Sequence, residues 1–129
     1  MELHHVGIAV TDLEAAARPY LELGYVREAE GTVESQGVRV VMLRSGSSRV
    51  ELLEALRPDS AVARFIEKRG PGVHHLAFHT PDIRAALARL EAQGAPLVDR
   101  EPRPGFGGHL VAFVHPRWAG GVLVELVQE

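Results

Sequence analysis

Leu3-His4-His5-Val6-Gly7-Ile8-Ala9-Val10-Thr11-Asp12 is written twice in this chain, for seventy residues later stands Val73-His74-His75-Leu76-Ala77-Phe78-His79-Thr80-Pro81-Asp82. The register holds beyond the histidine pair: Ala15-Ala16 returns as Ala85-Ala86 and Gly24 as Gly94. The two halves also end alike, on Val50-Glu51-Leu52 and Val124-Glu125-Leu126. Each half therefore opens with a histidine pair on an apolar strand and closes with a glutamate in another. Two imidazoles and two carboxylates from a duplicated module make a donor set for a divalent metal. Strand alternation puts His4, Val6, Ile8 and Val10 on one face and Leu3, His5, Gly7 and Ala9 on the other. The first face is apolar enough to lie against a helix, and the second leaves room beside His5. His5 and His75 are accordingly the cavity-facing histidines, with His4 and His74 pointing toward the helix layer.

Working outward, Asp12 is a good helix N-cap. Leu13, Ala16, Ala17 and Tyr20 then fall on one helical stripe, and Gly24 suits the residue just past the helix end. Pro19 removes a backbone bond and crowds the preceding turn, which predicts a kink or an early end near Arg18. Strands are expected at about 25–33, 37–44 and 48–56, separated by turn signals at Gly31, Gln36-Gly37 and Ser45-Gly46-Ser47. Pro58-Asp59-Ser60 opens a short helix carrying Val62, Phe65 and Ile66, and Gly70-Pro71-Gly72 stops it. The second half follows with a strand at 72–79, a helix capped by Asp82 with the stripe Ile83, Ala86, Leu87 and Leu90, and Gly94 at its end. Strands near 96–100, 108–115 and 121–128 complete it.

Each half reads β-α-β-β-β, as module 1 at about 1–57 and module 2 at about 72–129, with a linker helix at about 58–71 and one domain overall. One helix covers only one face of such a sheet, so the other face needs a partner. The expected class is α+β: two tandem βαβββ modules forming an open eight-stranded barrel-like sheet around a metal cavity. His5, Glu51, His75 and Glu125 would converge in that cavity. The His-to-Glu spacing is long in both halves, unlike a local helical motif such as HExxH.

The 129 residues, nearly half of them hydrophobic, are enough for a folded core. A net charge of −3 without a basic run gives no footprint for nucleic acid or a membrane surface. Cysteine is absent, which excludes disulfides, thiolate metal sites and a cysteine nucleophile. No apolar run reaches the length of a membrane span and no signal-peptide pattern opens the chain, so a cytoplasmic location is the default. Leftover sheet edges and an apolar outer surface predict a homodimer. His79, His109 and His115 read as surface or loop-end residues, and Glu34 and Glu54 as solvated. Pro104-Gly105-Phe106-Gly107-Gly108 lacks the Lys-Ser/Thr of a P-loop and opens no helix, so it reads as a glycine-rich turn. Arg44, Arg49, Arg103 and Arg117 are candidates to meet phosphate, against the blander reading of solvated surface arginines.

These residues resemble the vicinal oxygen chelate superfamily, whose members include glyoxalase I, extradiol dioxygenases and fosfomycin-resistance proteins. Within it the chain is similar to the methylmalonyl-CoA epimerases over nearly its whole length. The stretches that carry this are His5-Val6-Gly7-Ile8-Ala9-Val10, Gln36-Gly37-Val38, Glu51-Leu52-Leu53-Glu54, and Pro58-Asp59-Ser60-Ala61-Val62-Ala63. With them go Gly72-Val73-His74-His75-Leu76-Ala77-Phe78, Glu101-Pro102-Arg103-Pro104-Gly105, His115-Pro116, and Gly120-Gly121-Val122-Leu123-Val124-Glu125-Leu126. The metal pattern alone marks only the superfamily; the Pro58, Glu101 and His115 stretches are more specific.

Carried over by motif, the family's metal ligands fall on His5, Glu51, His75 and Glu125, the four that the repeat had selected. Two positions depart from the family pattern. Some epimerases have Gln where this chain has Glu51, and some carry a proposed catalytic glutamate four residues after the Gln of Gln-Gly-Val, where this chain has Val40.

The resemblance implies interconversion of the two C2 epimers of methylmalonyl-CoA by C2 proton abstraction through a metal-stabilised enolate. Proton transfer on both faces of a planar carbon calls for two bases, for which Glu125 and Glu51 are the candidates. The cofactor would be a divalent ion, with Co, Mn, Ni and Zn all suited to these donors, and the partner a CoA thioester substrate. Two alternatives share the fold: a glyoxalase I-like lactoylglutathione lyase or another isomerase of the superfamily, and a non-catalytic small-molecule (drug) binding protein.

Overall fold

In the computed structural model, which describes Met1–Glu129, strand β1 (Leu3–Val10) runs directly into Asp12, whose carboxylate accepts from the Ala15 N–H at 3.2 Å and starts α1 (Leu13–Glu22). β2 (Val26–Val33), β3 (Val38–Ser45) and β4 (Ser48–Ala55) follow, then α2 (Ala61–Arg69), capped by the Ser60 hydroxyl. β5 (Gly72–His79), α3 (Ile83–Ala92), β6 (Arg103–Pro104), β7 (Leu110–Val114) and β8 (Leu123–Gln128) repeat the pattern, with Asp82 capping α3 through the Ala85 N–H at 3.0 Å. Two βαβββ modules, eight strands in all, are present as the repeat predicts. The chain folds as two units, one made of His5–His74 and the other of Met1–His4 together with His75–Glu129.

In the first unit the strands lie in the order β2-β3-β4-β1, with β1 parallel to β4 and the other pairs antiparallel. α1 covers one face, where Leu13 and Ala17 are buried with Val10, Val41, Leu43 and Leu52. Leu13, Leu43 and Leu52 are wholly inaccessible, and each such side chain contributes about 1.5–3 kcal/mol by leaving water. The early end near Arg18 does not occur: α1 continues to Glu22 with Pro19 inside it. One backbone bond is lost, but Tyr20 in the last turn packs on the same core and meets Tyr25 edge-on, which holds the turn in place. Gly24 and Gly94 close the two helices at φ 96° and 85°, the left-handed conformation that glycine adopts without strain.

In the second unit the order is β5-β8-β7-β6, with β5 parallel to β8. Ile83, Ala86, Leu87 and Leu90 of α3 are all buried against Ala112, Val114, Val124 and Leu126. The strand expected near 96–100 is absent. There Leu97 makes a single bridge to Val114, and the Val98 and Asp99 N–H groups both point at the Phe113 carbonyl, while the edge strand proper is Arg103–Pro104. Pro96 and Pro102 donate nothing to a ladder, and residues 96–102 follow β7 without forming regular pairs with it. The Glu2 carbonyl accepts from the His79 N–H at 2.9 Å, which attaches the first residues of the chain to this unit.

Candidate metal centre

Strand register explains how each unit pairs a histidine with a glutamate. In the first unit Gly7 lies directly beside Glu51 in the parallel β1–β4 pair, and His5 is two residues away on the same face. Gly7 has no side chain, so the Glu51 carboxylate extends over it to within 3.4 Å of His5 Nε2. The second unit repeats this with Ala77 beside Glu125, whose carboxylate lies 3.3 Å from His75 Nε2. All four side chains are nearly sealed from water, His5 at 4% exposure, Glu51 at 7%, His75 at 3% and Glu125 at 7%. Burying carboxylates is costly unless positive charge or donors meet them, and paired imidazole and carboxylate donors are what a divalent cation takes up.

The neighbouring strand completes each half-site. On β3, Met42 pairs with Glu51 and Val40 with Leu53, so Val40 stands on the same face as the glutamate. It is fully buried and beside Gly31, which leaves no proton acceptor at that position. On β7, Phe113 pairs with Glu125, and its ring meets the His75 ring edge-on at 6.0 Å. Val111, two residues on, pairs with Val127 and with Arg103 of β6. Arg103 thus shares the face of Phe113 and Glu125, and its guanidinium carbon lies 5.4 Å from the Phe113 ring centroid.

His74 contacts a helix as expected, with its ring edge-on to Phe65 of α2 at 4.9 Å. His4 stands among residues of the second unit, to which Met1–His4 belongs: its Nε2 lies 3.2 Å from Glu129 and its ring 6.3 Å from that of His109. His79 and His109 are half-buried and His115 is exposed, its Nδ1 accepting from the Arg117 N–H at 3.1 Å. Glu54, expected to be solvated, accepts from the Leu13 N–H at 3.4 Å, and Gln128 accepts from the Ile83 N–H at 2.8 Å. The last strand of each module thus supplies the first free N–H of its helix with an acceptor, a pairing that no short-range spacing discloses.

Away from these half-sites, Glu28 of β2 is held by Arg44 of β3 at 2.9 Å and Arg49 of β4 at 3.1 Å. Partial burial pushes the Glu28 carboxyl up, but the hydrogen bonds and charges of Arg44 and Arg49 outweigh it and hold the group below the ordinary carboxylate value.

Against known proteins, residues 4–113 match the Glyoxalase/Bleomycin resistance protein/Dioxygenase superfamily. The chain is 41% identical over 129 residues to the ethylmalonyl-CoA/methylmalonyl-CoA epimerase of Cereibacter sphaeroides, covering 98% of this chain and 96% of that protein. It is 38% identical over 128 residues to the mitochondrial methylmalonyl-CoA epimerase of Homo sapiens, covering 98% of this chain and 73% of the human one. Among solved structures, methylmalonyl-CoA epimerase from Mycobacterium tuberculosis gives a TM-score of 0.93 at 40% identity, over 98% of this chain and 86% of that one. A methylmalonyl-CoA epimerase in complex with methylmalonyl-CoA and ammonium also gives 0.93 at 40% identity, over 98% and 93%.

Proposed function

Because the chain belongs to the methylmalonyl-CoA epimerases of the Glyoxalase/Bleomycin resistance protein/Dioxygenase superfamily, we propose that it interconverts the (2R) and (2S) epimers of methylmalonyl-CoA with the help of one divalent metal ion. The observation that carries the reading is the doubled, buried histidine–glutamate pair. His5, His75 and Glu125 would hold that ion, with Glu51 as the fourth donor. Such an ion, when bound, supplies Lewis-acid stabilisation of the negative oxygen that develops as the C2 proton leaves.

The remaining chemistry belongs to the chain. C2 lies between a thioester and a carboxylate, and the enolate left by deprotonation is planar. Epimerisation requires a base on one face and an acid on the other. Glu125 takes or returns the proton on one face, and Glu51, its counterpart in the repeat, acts on the other, where buried Val40 offers nothing. Gly7 and Ala77 keep the space beside the two carboxylates free of bulky side chains. The cytoplasmic setting and the homodimer expected from the sequence are part of the same proposal; no helix is long and apolar enough to cross a membrane.

The test is to supply metal-loaded protein in heavy water with either epimer of methylmalonyl-CoA and, separately, with the hemithioacetal of glutathione and methylglyoxal. Deuterium should enter C2 of the thioester from both epimers as they interconvert. Turnover of the hemithioacetal alone would make the protein a glyoxalase I-like lyase, and turnover of neither would favour a binding protein. Elemental analysis should find about one divalent ion per chain, lost in His75→Ala and retained in His74→Ala.

A further inference from the structure

We infer that Arg103 is the anion-recognition residue of this site, gripping a carboxylate or phosphate oxyanion of the acyl-CoA substrate; the inference rests on the reading of the protein as an acyl-CoA enzyme. Strand β6 is only Arg103–Pro104, yet its pairing with Val111 fixes the face on which Arg103 stands. That face also carries Phe113, Glu125 and Val127. The Phe113 ring meets both functional groups, edge-on to the His75 ring and under the Arg103 guanidinium. The charge is thereby placed one aromatic ring away from the His75–Glu125 pair.

The support beneath Arg103 is built for this orientation. Asp99 spends Oδ2 on the Phe113 N–H at 2.9 Å and holds the same oxygen 3.5 Å from Arg103 Nε. That Nε is buried and makes no hydrogen bond, so the single nearby carboxylate steadies the side chain from below without capping its end. The side chain as a whole is 42% exposed, and the two terminal nitrogens of a guanidinium are the pair that forks onto an oxyanion. Gly105 secures the strand. A Cβ there would come within 2.7 Å of a Val111 methyl, so glycine lets the chain after Arg103 lie flat on β7, where the Gly105 N–H donates to the His109 carbonyl at 2.8 Å. An arginine serving only to brace an edge strand would direct its forked end at the acid beside it; this one approaches Asp99 with its Nε.

The experiment is calorimetric titration of full-length, metal-loaded protein, wild type, Arg103→Gln and Arg103→Lys, with three probes. Malonyl-CoA carries both carboxylate and phosphates, propionyl-CoA only the phosphates, and malonyl-N-acetylcysteamine only the carboxylate. Arg103→Gln should weaken malonyl-CoA binding about ten- to a hundredfold, the scale of a lost charge-assisted hydrogen bond. Arg103→Lys should recover part of the loss, and both variants should keep wild-type metal content and melting temperature. An equal loss for malonyl-N-acetylcysteamine with none for propionyl-CoA assigns the acyl carboxylate, and the reverse pattern assigns phosphate. Unchanged affinity of Arg103→Gln for all three probes, with metal in place, overturns the inference even if the wild type epimerises. A wild type that binds malonyl-CoA through Arg103 yet epimerises nothing overturns the epimerase reading alone, and one that binds none of the probes overturns both.

Discussion

Glu51 and Glu125 occupy equivalent places in the two units, each beside a residue with little or no side chain and each 3.3–3.4 Å from an imidazole. If both act as bases, their loss is separable by isotope exchange. Glu125→Gln and Glu51→Gln should each lower the epimerisation rate by about a hundred- to ten-thousandfold, the usual contribution of a positioned acid or base. In heavy water each variant should still wash deuterium into C2 of one epimer, and the two should favour opposite epimers. Metal content is measured alongside, because a lost ion mimics a lost base; a metal-replete Glu51→Gln that epimerises at the wild-type rate would leave Glu51 a ligand only. These four side chains were legible in the sequence because period-two alternation and the seventy-residue repeat select the same atoms. Arg103 was legible only as one of four arginines. Its face is set by a two-residue strand whose register depends on Gly105 lying against Val111, and that contact has no periodicity to betray it.

Among the elements, β2 is the exposed edge of its sheet and is tied down by charge rather than by a core. Glu28 bonds Arg44 and Arg49 from the next two strands, and Arg27 bonds Glu14 of α1 at 2.8 Å. Charged edge strands of this kind resist pairing with other chains. The Glu28 carboxyl titrates below its ordinary value of 4.5 in the folded protein. Its contribution is therefore complete above that ordinary value and disappears as the pH falls through the lower, folded one. Glu28→Gln should cost about 0.5–1 kcal/mol in urea unfolding at neutral pH, and the gap from wild type should close in acid. A gap that persists unchanged at acid pH would show that the side chain acts through packing. At this scale the capped helices and most strands follow from local chemistry, while the two misplaced features share one cause. Both turn on proline: the packing of Tyr20 keeps Pro19 within α1, whereas Pro96 has no N–H to give a regular ladder over 96–100.

For the whole molecule, the homodimer remains the testable expectation. Met1, Trp118 and Val122 are exposed around an apolar cavity of about 450 Å³ in the second unit, whose walls include Leu76, Phe78 and Leu126. Clustered apolar exposure of this kind is uncommon on monomers. Light scattering should give twice the chain mass at micromolar concentration, and Trp118→Glu should shift the protein toward monomer without removing its metal; wild type at the chain mass would refute the dimer. One further feature bears on how the molecule comes to exist. The second unit takes Met1–His4 from one part of the chain and His75–Glu129 from another, joined by the Glu2–His79 hydrogen bond and the His4–Glu129 contact. The ribosome delivers Glu2 and His4 well before His79 and Glu129, whereas His5–His74 emerges as one uninterrupted stretch. Assembly during synthesis is thus ordered by the topology: the first unit can form early, while His4 waits for Glu129. A nascent chain stalled short of β8 should protect the amides of α1 from hydrogen exchange and leave that of His79 open.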